Sequence, residues 1–286
     1  MDSESQVDRV LAPAKINLWL HVLRRRDDGY HELDMLMQRI DLCDELEIRL
    51  DDSGEIRVDC PGLELPPGGD NLAARAARLM FGLAGKERAG CRIAIRKRIP
   101  AAGGLGGGSS DAAAVMLALN ERLGLRLAKE VLIRHGVRLG ADIPFFLLDV
   151  PAARARGVGE VLEPVGGLPE VWYLLVNPGV AVSTAWVFGN LGLTAPRQAA
   201  KLREFPRTTD ALVRLLRNDL EAVTCSRYPQ VAKAREALLD LGAAGVLMSG
   251  SGATVFGVFS DEGQVRQAGE RLDGESDWQV FVARPC

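Results

Sequence analysis

The run Ile16-Asn-Leu-Trp-Leu-His-Val22 alternates apolar and polar positions, with Ile16, Leu18, Leu20 and Val22 on one side and Asn17, Trp19 and His21 on the other. A period of two marks a strand with one buried face. After the turn residues Asp27-Asp28-Gly29, strand-like segments follow in LDMLMQRI (33–40), ELEIRL (45–50), EIRVDC (55–60) and CRIAIRKRI (91–99). One helix interrupts them, from Asn71 to Ala84, because Leu72, Ala76, Leu79, Met80 and Leu83 recur at helical spacing.

The stretch PAAGGLGGGSSD (100–111) leads into a predicted helix over 110–123, and AKEVLIRHGVRLG offers another ending at Gly140. Past Asp149-Val150-Pro151 the pattern starts afresh. VWYLLVNPG, TVFGVF and WQVFVA read as strands, and 209–217, 229–241 and DEGQVRQAGERL as helices. The alternation predicts an α+β chain in two lobes, 1–155 and 156–286, with no tandem repeat.

Composition agrees with a globular chain: 286 residues, 47% of them hydrophobic, can fill a real core. The 35 basic and 38 acidic residues leave a net charge of −3, which argues against nucleic acid as a partner. The start MDSESQVDR is acidic and polar, and no apolar run reaches the ~18 residues a membrane span needs, so the expectation is a cytoplasmic protein without membrane contact. Five scattered cysteines and three histidines make no metal-ligand spacing, and reduced thiols are expected.

Five glycines in the six residues 103–108 then demand a reason. A Walker A loop needs Lys then Ser/Thr after its last glycine, and here Ser109 follows Gly108; a dinucleotide fingerprint on Gly104 and Gly106 would need glycine where Ser109 stands. A protein kinase would carry H-R-D and D-F-G downstream, and neither tripeptide occurs. The physics of an anion cradle survives those failed spellings. Glycines let successive N–H groups converge, and a helix N-terminus adds its own unpaired donors. Ser109 and Ser110 add hydroxyls that can cap the helix, hold a phosphate oxygen or approach Mg2+.

The loop resembles the phosphate loop of the GHMP kinases, and APAKINL near the start and SGSGATVFGVF at 249–259 resemble that family's first and third motifs, in the same order. The resemblance implies a two-lobed fold: an N-terminal lobe similar to a ribosomal-protein-type α/β fold, a C-terminal ferredoxin-like lobe, and an active-site cleft between them. It also implies ATP as phosphoryl donor with Mg2+. PAKINLWL, DGYHELDMLMQ, LGADIPFF and NPGVAVSTAWVF are similar to the branch of the family whose small-molecule substrate carries a cytidine diphosphate group. Asp111, where some members have Asn or Ala, is a minor departure.

By that resemblance Lys15 and Asp142 are catalytic, the carboxylate orienting the acceptor hydroxyl and the lysine steadying it. Read from the residues alone, Asp142 serves equally well as a helix cap after Gly140. Tyr30 and Phe188 are implied at the faces of the cytosine and His31 at its polar edge, with Asn17 and Thr184 as polar substrate contacts. Gly103, Gly104, Leu105, Gly106, Gly107, Gly108, Ser109 and Ser110 are implied to hold the ATP phosphates, with Asn71 and Lys97 near its base or ribose. Gly250 and Gly252 are implied as supports behind the loop. The assembly is left between a monomer and a weak homodimer.

Overall fold

The computed structural model describes residues 7–62, 71–193, 197, 204–272 and 277–286; the acidic start at 1–6 lies outside them. Contacts divide the chain into two units, each built from several segments. One holds 1–14, 43–99 and 107–149, and the other holds 15–42, 100–106 and 150–286. The chain thus crosses between units repeatedly, the last time after Asp149. The reason lies in two long strands, β1 (Asp8–Arg25) and β2 (His31–Asp51), each of which contributes to both units.

In the first unit, residues 45–51 of β2 pair antiparallel with β4 (Gly90–Arg96), which pairs parallel with β3 (Ile56–Asp59). Helix α1 (Leu72–Leu83) packs on this sheet and on α2 (Gly107–Arg122) through Ala73, Ala77, Met80 and Phe81. Helices α3 (Lys129–Gly136) and α4 (Ile143–Leu148) pack on each other. Glycine at 136 eases that approach, since a Cβ there would stand 2.7 Å from a Leu147 methyl and 2.8 Å from an Ile143 methyl.

In the second unit, β11 (Gln279–Ala283), β7 (Trp172–Asn177), β10 (Val255–Phe259) and β9 (Gly245–Met248) form an antiparallel sheet in that order. Helices α8 (Pro229–Asp240) and α9 (Glu262–Leu272) pack on it, and every residue of β10 is buried. Residues 33–38 of β2 pair with β5 (Ala152–Gly157), itself paired with β6 (Val161–Pro164). β1 meets the two-residue β8 (Arg217–Asn218) in parallel at Trp19 and Leu20. Between these strands lie α5 (Thr184–Gly189), α6 (Thr209–Leu215) and α7 (Glu221–Arg227).

Three sequence expectations change. β2 runs unbroken where two strands were expected, because Asp44 is buried yet satisfied: its Oδ1 accepts from the backbone N–H groups of Arg98 (2.7 Å) and Ile99 (2.9 Å). β1 is buried on both sides at Asn17 and His21, rather than half-buried. Helix α2 begins at Gly107, three residues earlier than expected, so Gly107, Gly108, Ser109 and Ser110 form its first turn.

Candidate active site

The second unit collects the first and third motifs around one carbonyl. Lys15 is buried on β1, and its Nζ donates to Asn17 Oδ1 (2.6 Å) and to the carbonyl oxygen of Gly104 (3.0 Å). Its backbone N–H donates to Leu105 O (2.9 Å), which fastens the loop to the strand. Ser249, fully buried, donates from Oγ to the same Gly104 carbonyl (2.9 Å) and accepts from the Asn17 N–H (3.2 Å).

Gly104 sits at φ +78°, and a Cβ built there would run into the Ser249 carbonyl group. Gly250, at φ +57°, answers it: a Cβ there would stand 3.1 Å from Gly104 O and 3.5 Å from Lys15 Nζ. Behind Gly103, Asn177 Nδ2 donates to Thr254 Oγ1 (2.9 Å) and the Thr254 N–H donates to Gly103 O (3.1 Å). The loop is therefore gripped from strand β1 on one flank and from the 249–254 turn on the other.

The substrate-side residues of this unit surround α5. Thr184 Oγ1 lies 2.8 Å from Ser251 Oγ, tying that helix to the 249–254 turn. Phe188 stacks on His31, with ring centroids 4.9 Å apart and planes 28° apart. Burial first, and the Arg25 charge second, hold the His31 pKa below the usual histidine range, so the ring is neutral at pH 7 and offers one donor and one acceptor. Tyr30, in the turn before β2, is 65% exposed, and its N–H donates to Asp28 Oδ1 (3.1 Å).

The first unit holds the other half of the loop. The Ser110 hydroxyl, in the first turn of α2, is buried with no hydrogen-bond partner among the described residues. Such an orphan oxygen beside unpaired helix N–H groups fits a phosphate oxygen or a phosphate-bound cation. A Cβ at Gly108 would lie 3.7 Å from Leu72, and one at Gly140 would lie 3.5 Å from Ser109 Oγ. The start of α1 and the Gly140–Asp142 turn thus both border this first turn. Asn71 caps α1, its Oδ1 accepting from the Ala73 N–H at 2.8 Å. Asp142 stands at the N-cap of α4, but its side chain makes no capping bond, so the helix-cap role is not what its carboxylate performs.

Lys97 sits in a buried ion-pair clasp beside the start of α2. Its Nζ is held by Asp44 Oδ2 and, at 2.9 Å, by Asp111 Oδ2. Burial works against the ammonium, yet Asp111 and Asp44 together outweigh it and raise the Lys97 pKa. Burial pushes the Asp111 carboxyl up to about 7, against the pull of Lys97 and with the push of Asp44. A Cβ on Gly107 would come within 3.2 Å of this ammonium, so the clasp lies against the first residue of α2.

The profile of the GHMP kinases N terminal domain matches residues 71–150, and that of the GHMP kinases C terminal family matches 199–276. A 4-diphosphocytidyl-2-C-methyl-D-erythritol kinase from Syntrophotalea carbinolica is 54% identical over 279 residues, covering 98% of this chain and 99% of that protein. The chain belongs to the GHMP kinase family. A crystal structure of a 4-(cytidine 5'-diphospho)-2C-methyl-D-erythritol kinase superposes with a TM-score of 0.82 at 37% identity, over 98% of this chain and all of that one. A homoserine kinase from Cytophaga hutchinsonii, at 21% identity and a TM-score of 0.74 over 99% and 96% of the two chains, shares the GHMP kinase fold.

The α+β, two-domain GHMP kinase architecture expected from the three motifs is the one the chain adopts. Of the anticipated site residues, the second unit brings Lys15, Asn17 and Gly104 together and pairs His31 with Phe188. The first unit groups Asn71, Ser109, Ser110 and the Asp142 turn about the start of α2. Ser249, Asn218 and Thr254 were not anticipated as parts of the machinery. Ser249 and Thr254 carried one signal, a run of small polar residues too rich for a core strand entry at 249–254, and Asn218 carried none.

Proposed function

We propose that this GHMP kinase transfers the γ-phosphoryl group of ATP to the C2 hydroxyl of 4-diphosphocytidyl-2-C-methyl-D-erythritol, giving the 2-phosphate and ADP on a route to isoprenoid precursors that bypasses mevalonate. The observation that carries this reading is the 54% identity, along nearly the whole chain, to a protein bearing that substrate's name.

In this reading, the substrate oxygen forms a bond to Pγ as the bond from Pγ to the β,γ-bridging oxygen breaks. The transition state is loose, and the protein's task is positioning and compensation of oxygen charge. Residues Gly103–Ser110 supply backbone donors to the phosphates. Mg2+, with Ser110 as a hydroxyl ligand, would neutralise charge on the phosphate oxygens. Lys15 holds its ammonium against the loop and steadies charge that develops during transfer. Asp142 orients the acceptor hydroxyl and takes its proton late, as the new O–P bond forms, then releases it to solvent. Neutral His31 reads the polar edge of the cytosine, with Phe188 and Tyr30 as stacking surfaces and Asn17 and Thr184 as polar contacts.

The test is an ATP-consumption assay that offers the diphosphocytidyl alcohol, homoserine and mevalonate side by side, with product masses determined. The expected result is one added phosphate on the first alone. Turnover of homoserine or mevalonate in its place would remove the substrate assignment.

A further inference from the structure

Buried polar side chains are kept where every donor and acceptor finds a partner. Asn218, at the end of β8, is such a residue, and the partners it chooses point toward the site. Its Nδ2 donates both hydrogens, one to Met248 O (2.8 Å) and one to Gly250 O (2.7 Å), while its Oδ1 accepts from the Leu220 N–H at 2.9 Å. The two carbonyls belong to the residues on either side of Ser249. One carboxamide therefore clamps the backbone around that serine from both ends.

Ser249 in turn touches two residues that hold the Lys15 ammonium. Its Oγ donates to Gly104 O and accepts from the backbone N–H of Asn17, and Lys15 Nζ bonds Gly104 O and the Asn17 side chain. The circuit closes on itself. Shifting Ser249 moves one acceptor of the ammonium directly and loosens the strand that carries the other. A core-filling role needs none of this, since an apolar side chain would serve a strand end without two donors aimed at adjacent carbonyls.

We infer that Asn218 and Ser249 are positioning residues for Lys15, acting through the Gly104 carbonyl and the Asn17 backbone. The inference rests on the reading of Lys15 as a catalytic group in ATP-dependent phosphoryl transfer. Misplacement of a reacting group by ~1 Å costs on the order of 100-fold in rate, and both residues sit where a displacement of that size would arise.

The experiment uses the full-length enzyme with Ser249→Ala, Asn218→Ser and the double variant, each checked for a cooperative melt. Turnover of ATP with the diphosphocytidyl alcohol, the two KM values, and the acylation rate of Lys15 by peptide mass spectrometry are measured. Each single variant is expected to lower kcat by about 10- to 100-fold with KM for ATP within about threefold, and to raise Lys15 acylation severalfold. Because the two act in series, the double variant should be no slower than the worse single within about threefold.

Unchanged kcat in folded Ser249→Ala, multiplicative losses in the double variant, or an unaltered Lys15 acylation rate would each overturn the inference. Should Asn218→Ser fail to fold, Ser249→Ala carries the test, since it deletes one hydroxyl. Wild-type turnover separates the two levels: an inactive wild type sinks the substrate reading, while the acylation rates still decide the positioning of Lys15.

Discussion

Two turns rich in glycine and serine, 103–110 and 249–254, look alike on paper and do opposite work. The first presents itself: its carbonyl at Gly104 receives Lys15, and its helix start leaves a buried Ser110 hydroxyl without a partner among the described residues. The second is spent inward, on Gly104, Asn17, Gly103 and Thr184, with Ser249 and Thr254 wholly buried. Unsatisfied donors and acceptors mark a surface kept for a ligand, and satisfied ones mark the scaffold behind it. Composition cannot tell these apart, because glycine serves close approach in both.

The sharpest way to separate presenting from supporting groups is to remove a reacting group alone. Asp142→Asn is isosteric and makes no change to a helix cap, so turnover should fall by about 10²–10⁴-fold while ATP affinity and the melting temperature stay close to wild type. Equal losses in turnover and ATP affinity would move Asp142 from chemistry into binding.

Gly104→Ala strikes where the two turns meet. A left-handed backbone costs a residue with a Cβ about 1–2 kcal/mol, and that Cβ also runs into the Ser249 carbonyl. We expect kcat/KM for ATP to drop about 100-fold and the melting temperature to fall by about 5 °C. A wild-type melt would show that the two turns are not packed as described. Gly250→Ala should do less: it carries the same left-handed penalty at φ +57°, but its nearest neighbour is 3.1 Å away and need move only a few tenths of an ångström. The expected change is about tenfold in turnover and about 2–4 °C in stability; a larger effect than Gly104→Ala would invert the assignment of front and back.

The smallest effect concerns the clasp under α2. The Asp111 carboxyl titrates near 7 in the folded chain, above its unfolded value of 3.8, so the native state binds the extra proton in that window. Its contribution is present on the acid side and is lost as pH rises from about 4 to about 7. Asp111→Asn cannot titrate. The stability of wild type relative to Asp111→Asn should therefore decline across that range in denaturant melts, and a flat difference would remove the buried-carboxyl account.

Much of this was legible from the residues. The period of two in Ile16–Val22 located β1, and the glycine loop with its neighbouring motifs located the site. Less visible were the places where polar groups are buried by long-range partners. Asp44 read as a strand break because nothing local announces the Arg98 and Ile99 N–H groups that satisfy it. β5 carries no strand signal that the pattern picked up, and its Arg154 is held by Asp34 through two bonds of 2.8 and 2.9 Å. Nothing near Lys97 in sequence announced the two carboxylates, Asp44 and Asp111, that close on it. Asn218 read as a residue between helices, since its targets lie about thirty residues away in sequence.

The most direct test is to identify where the new phosphate sits after the wild-type enzyme has acted on ATP and the diphosphocytidyl alcohol. The C2 carbon carries a methyl group and no hydrogen, so a phosphate on its oxygen has no proton three bonds away. The account predicts a new phosphomonoester signal in the proton-coupled ³¹P spectrum that remains a singlet, with ADP formed in equal amount. A signal split by neighbouring protons, or ADP without any new phosphomonoester, would contradict it.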